Sequence, residues 1–206
     1  METKLLNQEG KEIGTVELNA WVFGLEVNEG LIHRALVYQL SNARQIVAHT
    51  KTRAEVRWST RKIFKQKGTG QARAWGNRSP IRVWGWVAFG PRNTVNFTKA
   101  MNKKERRLAL CSILSSKVKS NNVIVLDTLN FADIKTKNMV AVLKAIPYTK
   151  NVLLALASKN EAVERSASNL PQVKTLTTDY LNIKDLLKYT TLVLLKDSVE
   201  KLNNIR

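Results

Sequence analysis

Acidic residues are scarce in this chain and cysteine, histidine and proline scarcer still: 16 Asp and Glu stand against 34 Lys and Arg, with one cysteine, two histidines and four prolines in 206 residues. The lone Cys111 cannot close an internal disulfide, so the fold must be held by an apolar core, as in a reducing compartment. His33 and His49 make no ligand cluster at metal spacing, which excludes a zinc module and leaves no metal site to expect. No apolar run approaches the roughly 20 residues of a membrane span. The opening METKLLNQEG turns polar after two leucines, unlike a secretion signal. These absences point to the cytoplasm, or to an organelle with its own bacterial-type machinery.

The deficit of acid leaves a formal charge of +18. Such an excess repels itself unless a polyanion neutralises it, which makes nucleic acid the leading partner and an anionic membrane surface the second. The charge is also unevenly placed. Between Arg44 and Lys104 lie fifteen Lys and Arg and one acid, Glu55, together with four of the five tryptophans and five of the nine glycines. The rest of the chain is near balance. The division expected is therefore 1–46 as the first part of a globular domain, 47–100 as an extended basic loop, and 101–206 as the remainder of the domain.

The flanking sequence reads as alternating strands and helices. EIGTVEL, after a turn at NQEGKE, alternates like a half-buried strand. Asn28 can cap a helix with Leu31, Ala35, Leu36, Val37 and Leu40 on its apolar face, ending near Asn42. Asn102 can cap KKERRLALCSILSSKV, with Leu108, Cys111, Leu114, Ser115 and Val118 inward. Beyond it come NVIVLD, KTKNMVAVLKAI, NVLLALA, a helix after Lys159, QVKTLTT, NIKDLLKY, TLVLLK and DSVEKLNNI, strand and helix by turns. Short apolar runs spaced by helical crossovers predict an α/β three-layer sandwich with a largely parallel sheet, the basic loop being inserted after the first helix.

An α/β domain invites an enzymatic reading, which the residues do not support. GTGQAR at 68–73 begins like a nucleotide loop, but no strand enters it, no apolar helix leaves it, and Arg73 stands where a third glycine is needed. Cys111 fits a small core residue and His33 a surface position, each without a catalytic companion. Asp127 and Asp133 follow a strand end, where a turn or cap is the plain reading. No catalytic group, cofactor or small-molecule substrate is expected.

The insert combines three kinds of residue that together favour RNA. Arginine and lysine neutralise phosphates, tryptophan stacks on bases, and glycine allows close backbone approach. The phosphate candidates include Arg57, Arg61, Lys62, Lys65, Arg82 and Arg92; Trp75, Trp84 and Trp86 are candidates for stacking. Run out and back at roughly 3.3 Å per residue, the segment can reach about 80 Å. An arm of that kind has little core and is ordered by the polyanion around it.

KTRAEV, KQKGTGQAR, RSP, FGP and NKKERRLAL occur in the order and spacing of the bacterial-type large ribosomal subunit protein four family, the L-four family, and KTKNMVAVLKAI, VKTL, LNIKDLLKY and LVLLKDSVEKL extend the match along nearly the whole chain. The sequence resembles that family closely. The resemblance implies a structural constituent of the large ribosomal subunit, with an α/β domain on the outer face and a loop threading large-subunit (23S) ribosomal RNA. The loop would reach the wall of the nascent-peptide exit tunnel, at a constriction shared with large-subunit protein twenty-two. By the same resemblance Lys51, Thr52 and Arg53 belong to the outgoing limb. Gln66, Lys67, Gly68, Thr69 and Gly70 form the tip, and Arg73, Arg78, Ser79 and Pro80 the returning limb. Asn102, Lys103, Lys104 and Arg107 match the start of the helix where the loop rejoins the domain. A different reading of the same charge is a stand-alone RNA-binding regulator, acting for example on a messenger leader.

The chain departs from the family where the family has glycines. Trp58, Ser59 and Thr60 occupy a glycine run, Trp75 takes a glycine position, and three glycines before FGP become Trp84, Gly85 and Trp86. Ile63 and Phe64 replace a Pro-Trp pair, and Arg82 a tryptophan. A ring at a glycine position forbids positive φ and close approach. The extra rings either stack on bases of a divergent ribosomal RNA or face solvent or a neighbouring protein.

Overall fold

A computed structural model describes residues 1–83, 85–131 and 133–204. The chain divides into two compact units, one formed by Met1–Asn42 with Lys99–Arg206, the other by Ala43–Thr98.

The first unit is a three-layer α/β sandwich. Its strands are β1 (Glu2–Leu6), β2 (Glu12–Glu17), β3 (Val123–Leu126), β4 (Val152–Leu156), β5 (Val173–Thr177) and β6 (Thr191–Leu195). They form one sheet in the order β2-β1-β3-β6-β4-β5, parallel except for the β1–β2 pair. Every residue of β3 and β4 is buried, as the continuous apolar runs require of strands covered on both faces. Successive side chains then go to opposite layers. Val123, Val125, Leu153, Ala155, Leu192 and Leu194 join one core, packed by α1 (Ala20–Phe23), α2 (Glu29–Asn42), α3 (Lys103–Lys119), α6 (Ile183–Lys188) and α7 (Lys196–Asn203). Ile124, Leu126, Leu154, Leu156 and Val193 join the other, under α4 (Thr136–Ala145) and α5 (Glu161–Ser168).

Several local expectations need correction. β1 was not foreseen, because its residues alternate poorly and only Leu5 and Leu6 are buried. β2 is not half-buried: only Val16 is shielded at all, because β2 is an edge strand with no helix over either face. In α2, Leu40 is exposed whereas Ile32 is buried. In α3, Leu108 is exposed, while Ser112 is as buried as Ser115.

The buried serines have a task. Ser115 Oγ accepts the Leu25 N–H at 3.0 Å and Ser112 Oγ accepts the Asn28 N–H at 2.9 Å, so α3 satisfies the backbone of the α1–α2 connection. Asn28 does cap α2, accepting the Leu31 N–H at 3.0 Å, but Asn102 stands before α3 without a side-chain capping bond. Cys111 is buried in the core, and burial raises its thiol pKa, the state of an inert thiol.

Asn42, at the end of α2, and Lys99 hold each other twice: Lys99 N–H donates to Asn42 Oδ1 at 2.8 Å, and Asn42 Nδ2 donates to the Lys99 carbonyl at 3.2 Å. The chain therefore leaves the sandwich and re-enters it at one point.

Candidate nucleic-acid interface

Among its described residues the 43–98 unit contains no helix and no strand, and Val56, at 8% exposure, is its one buried residue. Burying a valine contributes about 2 kcal/mol, so this unit has no core comparable with the sandwich. Its order comes from cross-links between limbs. Asn93 N–H donates to His49 Nδ1 at 3.5 Å, Thr50 N–H to the Pro91 carbonyl at 2.9 Å, Arg78 Nη1 to the Val56 carbonyl at 3.1 Å, and Ile63 N–H to the Trp75 carbonyl at 3.0 Å. The pairs are nested, so the chain runs out and back on itself. Arg44 lies over the Phe97 ring at 4.0 Å, near the ends of the limbs.

Twelve Lys and Arg of this unit meet a single carboxylate. Glu55 accepts the Thr52 N–H at 3.0 Å and pairs with Arg92 at 2.7 Å, and these two bonds, the backbone one first, hold its carboxyl below the usual range. Arg92 also donates to the Thr50 carbonyl at 3.4 Å. Arg92 and Arg78 are thus engaged in holding the limbs. Lys51, Arg53, Arg57 and Arg61 remain exposed on the outgoing limb, and every residue from Lys65 through Arg73 is exposed. Gly68 and Gly70 turn the tip with φ of 81° and 66°, a region closed to most side chains, while Gln66, Lys67 and Thr69 point outward between and beside them.

The ring-bearing positions are distributed unequally. Trp75 is 77% exposed, with Lys62 Nζ 4.7 Å from its ring centre, while Trp58 is 58% and Trp86 38% exposed. None of these three adopts positive φ, so the rings sit on ordinary backbone. Trp84 lies outside the described residues. Gly85, retained between the two tryptophans, cannot be replaced: a Cβ there would meet the Ser79 carbonyl oxygen at 1.8 Å, across the turn that Ser79 and Arg82 close. Phe89 was not singled out beforehand, yet its backbone is left-handed at φ 54° and its ring fully exposed. Strain of about 1 kcal/mol or more at a solvent-facing aromatic is the kind that marks ligand contacts. Trp58 and Phe64, also absent from the sequence-derived contact set, line a cavity with Arg73, Arg82 and Trp86. Both positions stand out in the resemblance to the family, Trp58 against a glycine run and Phe64 against a Pro-Trp pair.

Lys103, Lys104 and Arg107 belong to the sandwich, in the first turns of α3, and all three are exposed. Arg106 accompanies them, its guanidinium 5.6 Å from the Tyr38 ring centre and 3.4 Å from the Tyr38 hydroxyl. Cations at a helix N-terminus oppose the helix dipole by about 0.3–1 kcal/mol each, a cost that a bound anion reverses. Here Glu105 and its 3.4 Å pair with Arg34 give partial internal compensation.

Of the two carboxylates that invited an enzymatic reading, Asp133 pairs with Lys135 at 2.7 Å; Asp127 is held through its backbone, its N–H donating to the Leu6 carbonyl at 3.0 Å. Among the described residues no group of three or more His, Cys, Asp and Glu is placed to hold a metal, and no helix is long and apolar enough to cross a membrane.

The sequence of the Ribosomal protein L4/L1 family matches residues 16–205. The chain belongs to this family. It is 46% identical over 202 residues to the large ribosomal subunit protein uL4 of Lachnoclostridium phytofermentans, covering 98% of this chain and 97% of that protein. The protein of the same name from Lachnospira eligens is 47% identical over 199 residues, 97% and 96% of the two chains. The one from Dehalococcoides mccartyi is 42% identical over 205 residues, 100% and 97%. Family membership therefore extends across the basic unit as well as the sandwich.

Proposed function

We propose that the chain is a structural constituent of the large ribosomal subunit, binding large-subunit (23S) ribosomal RNA through the 43–98 segment. The observation that carries this reading is the segment itself: twelve cations, one neutralised carboxylate and, among its described residues, one that is buried, in a chain of the ribosomal protein L4/L1 family. A surface so charged and so poor in core is stabilised by the phosphates it meets. Lys51, Arg53, Arg57, Arg61, Lys62 and Lys65 serve the outgoing limb. The 66–70 tip reaches the wall of the exit tunnel beside large-subunit protein twenty-two. Arg73, Arg78, Ser79, Arg82 and Arg92 serve the return, and Lys103, Lys104 and Arg107 carry the contact onto α3. The chemistry of the particle belongs to RNA, and this chain supplies no catalytic group. Its place of work is the ribosome of the cytoplasm.

The test is charge reversal at the tip. Lys67→Glu and Arg73→Glu should each lower incorporation into large subunits several-fold on sucrose gradients. Both side chains are exposed, so the melting temperature of the isolated protein should move by less than about 2 °C. A wild-type chain that sediments free of large subunits would instead support a stand-alone RNA-binding regulator.

A further inference from the structure

Two adjoining cavities lie between the limbs of the 43–98 unit. One, of about 890 Å³, is walled by Trp58, Phe64 and Trp86, with Gln71 and Asn77 adding amide groups. The other, of about 490 Å³, draws on Arg53 and Arg78 together with Ser59, Thr60 and Ser79. Arg73 and Arg82 line both, and no carboxylate lines either. The first is therefore aromatic with hydrogen-bonding edges, the second cationic, and two guanidiniums form the partition.

We propose that this pair of cavities holds a single nucleotide extruded from the RNA, its base in the aromatic cavity and a flanking phosphate in the arginine cavity. The inference rests on the reading that the segment binds RNA. Each part of a nucleotide finds its chemistry. A base offers a π-face to tryptophan or phenylalanine and a hydrogen-bonding edge to an amide, while phosphate oxygens suit arginine. The size agrees, since small-molecule sites span about 300–1,000 Å³. The rings also remain available: Trp58 is 58% and Trp86 38% exposed, so internal packing has not consumed their faces. An acidic protein segment would match the arginines but leave the aromatic cavity unexplained. Glycines at 58 and 86 would leave the aromatic wall to Phe64 alone, so the site belongs to the aromatic departures of this chain.

The full-length protein is titrated with fluorescently labelled octameric RNA of mixed sequence and with the same ribose-phosphate backbone made abasic, followed by anisotropy at fixed salt. Stacking contributes about 1–3 kcal/mol per base, so the base-bearing RNA should bind at least about tenfold more tightly. In Trp58→Gly/Trp86→Gly, and in Trp58→Leu/Trp86→Leu, which keeps apolar bulk, that preference should vanish while binding of the abasic backbone and its salt dependence stay unchanged. Equal affinity of the wild type for both RNAs, or a preference that survives in both variants, overturns the proposal. Sedimentation keeps the two readings apart. A wild-type chain found in large subunits without base preference loses the pocket and keeps the ribosomal role, whereas one absent from large subunits loses the ribosomal role itself.

Discussion

Ser166 lies inside α5 with its hydroxyl buried and no hydrogen-bond partner. An orphaned buried hydroxyl costs about 1–3 kcal/mol of desolvation, and alanine is also the better helix former. Ser166→Ala is expected to stabilise the protein by about 1 kcal/mol in urea unfolding; a loss of stability would mean that the hydroxyl has a partner after all. Ser112 and Ser115 are the opposite case, each bonded to a backbone N–H of the α1–α2 connection. The sequence distinguishes these serines poorly, since burial is readable from helical spacing but the partner comes from a residue more than eighty positions away. Cys111 was legible as core because it is apolar enough to follow the spacing alone. Leu108 follows the same spacing and is exposed, because at its level the buried flank of α3 passes through Ala109 instead.

At the scale of elements, α6 depends on one carboxylate. Asp185 is buried, accepts Lys174 Nζ at 2.6 Å and Asn182 Nδ2 at 2.8 Å, and its own N–H donates to Asn182 Oδ1 at 2.9 Å as the helix cap. Burial pushes its pKa up, but the Lys174 and Asn182 bonds outweigh it and hold the carboxyl below its ordinary 3.8. A lowered folded pKa contributes stability that is present above the unfolded value and is lost as pH falls through the folded one. Asp185→Asn should therefore cost about 1–2 kcal/mol at pH 7, moderated because Lys174 is 40% exposed, and the difference from wild type should begin to narrow only below about pH 4 and close as pH falls through the lowered folded pKa. Thermal melts from pH 7 to pH 3 check both the size and the sign. The parallel strands and their helices could be read from apolar runs and spacing because each carries its own pattern. β1 could not, because two terminal leucines are its only buried residues and its place depends on pairing with β2 and β3. The basic segment was legible as charge and composition, whereas its paired cavities, each made by residues up to 28 or 29 positions apart, were not.

At the scale of the molecule, among the described residues the apolar core lies almost wholly in the sandwich, and the 43–98 unit adds one buried valine. Replacing residues 43–98 by a short Gly-Ser linker should leave a folded sandwich whose melting temperature lies within about 4 °C of the full chain, the shift that about 1 kcal/mol produces in a protein of this size. A collapse of the melting transition would mean that the sandwich needs the segment. The reciprocal bonds between Asn42 and Lys99 are what make such a replacement possible, since they fix the exit and the re-entry of the chain side by side. Those bonds also free one part of the protein to change without the other. Everything between the two residues can be lengthened, shortened or given other side chains while the exit and re-entry stay in place. No such change has to preserve the folding of the sandwich, so the segment is free to follow whatever surface it binds.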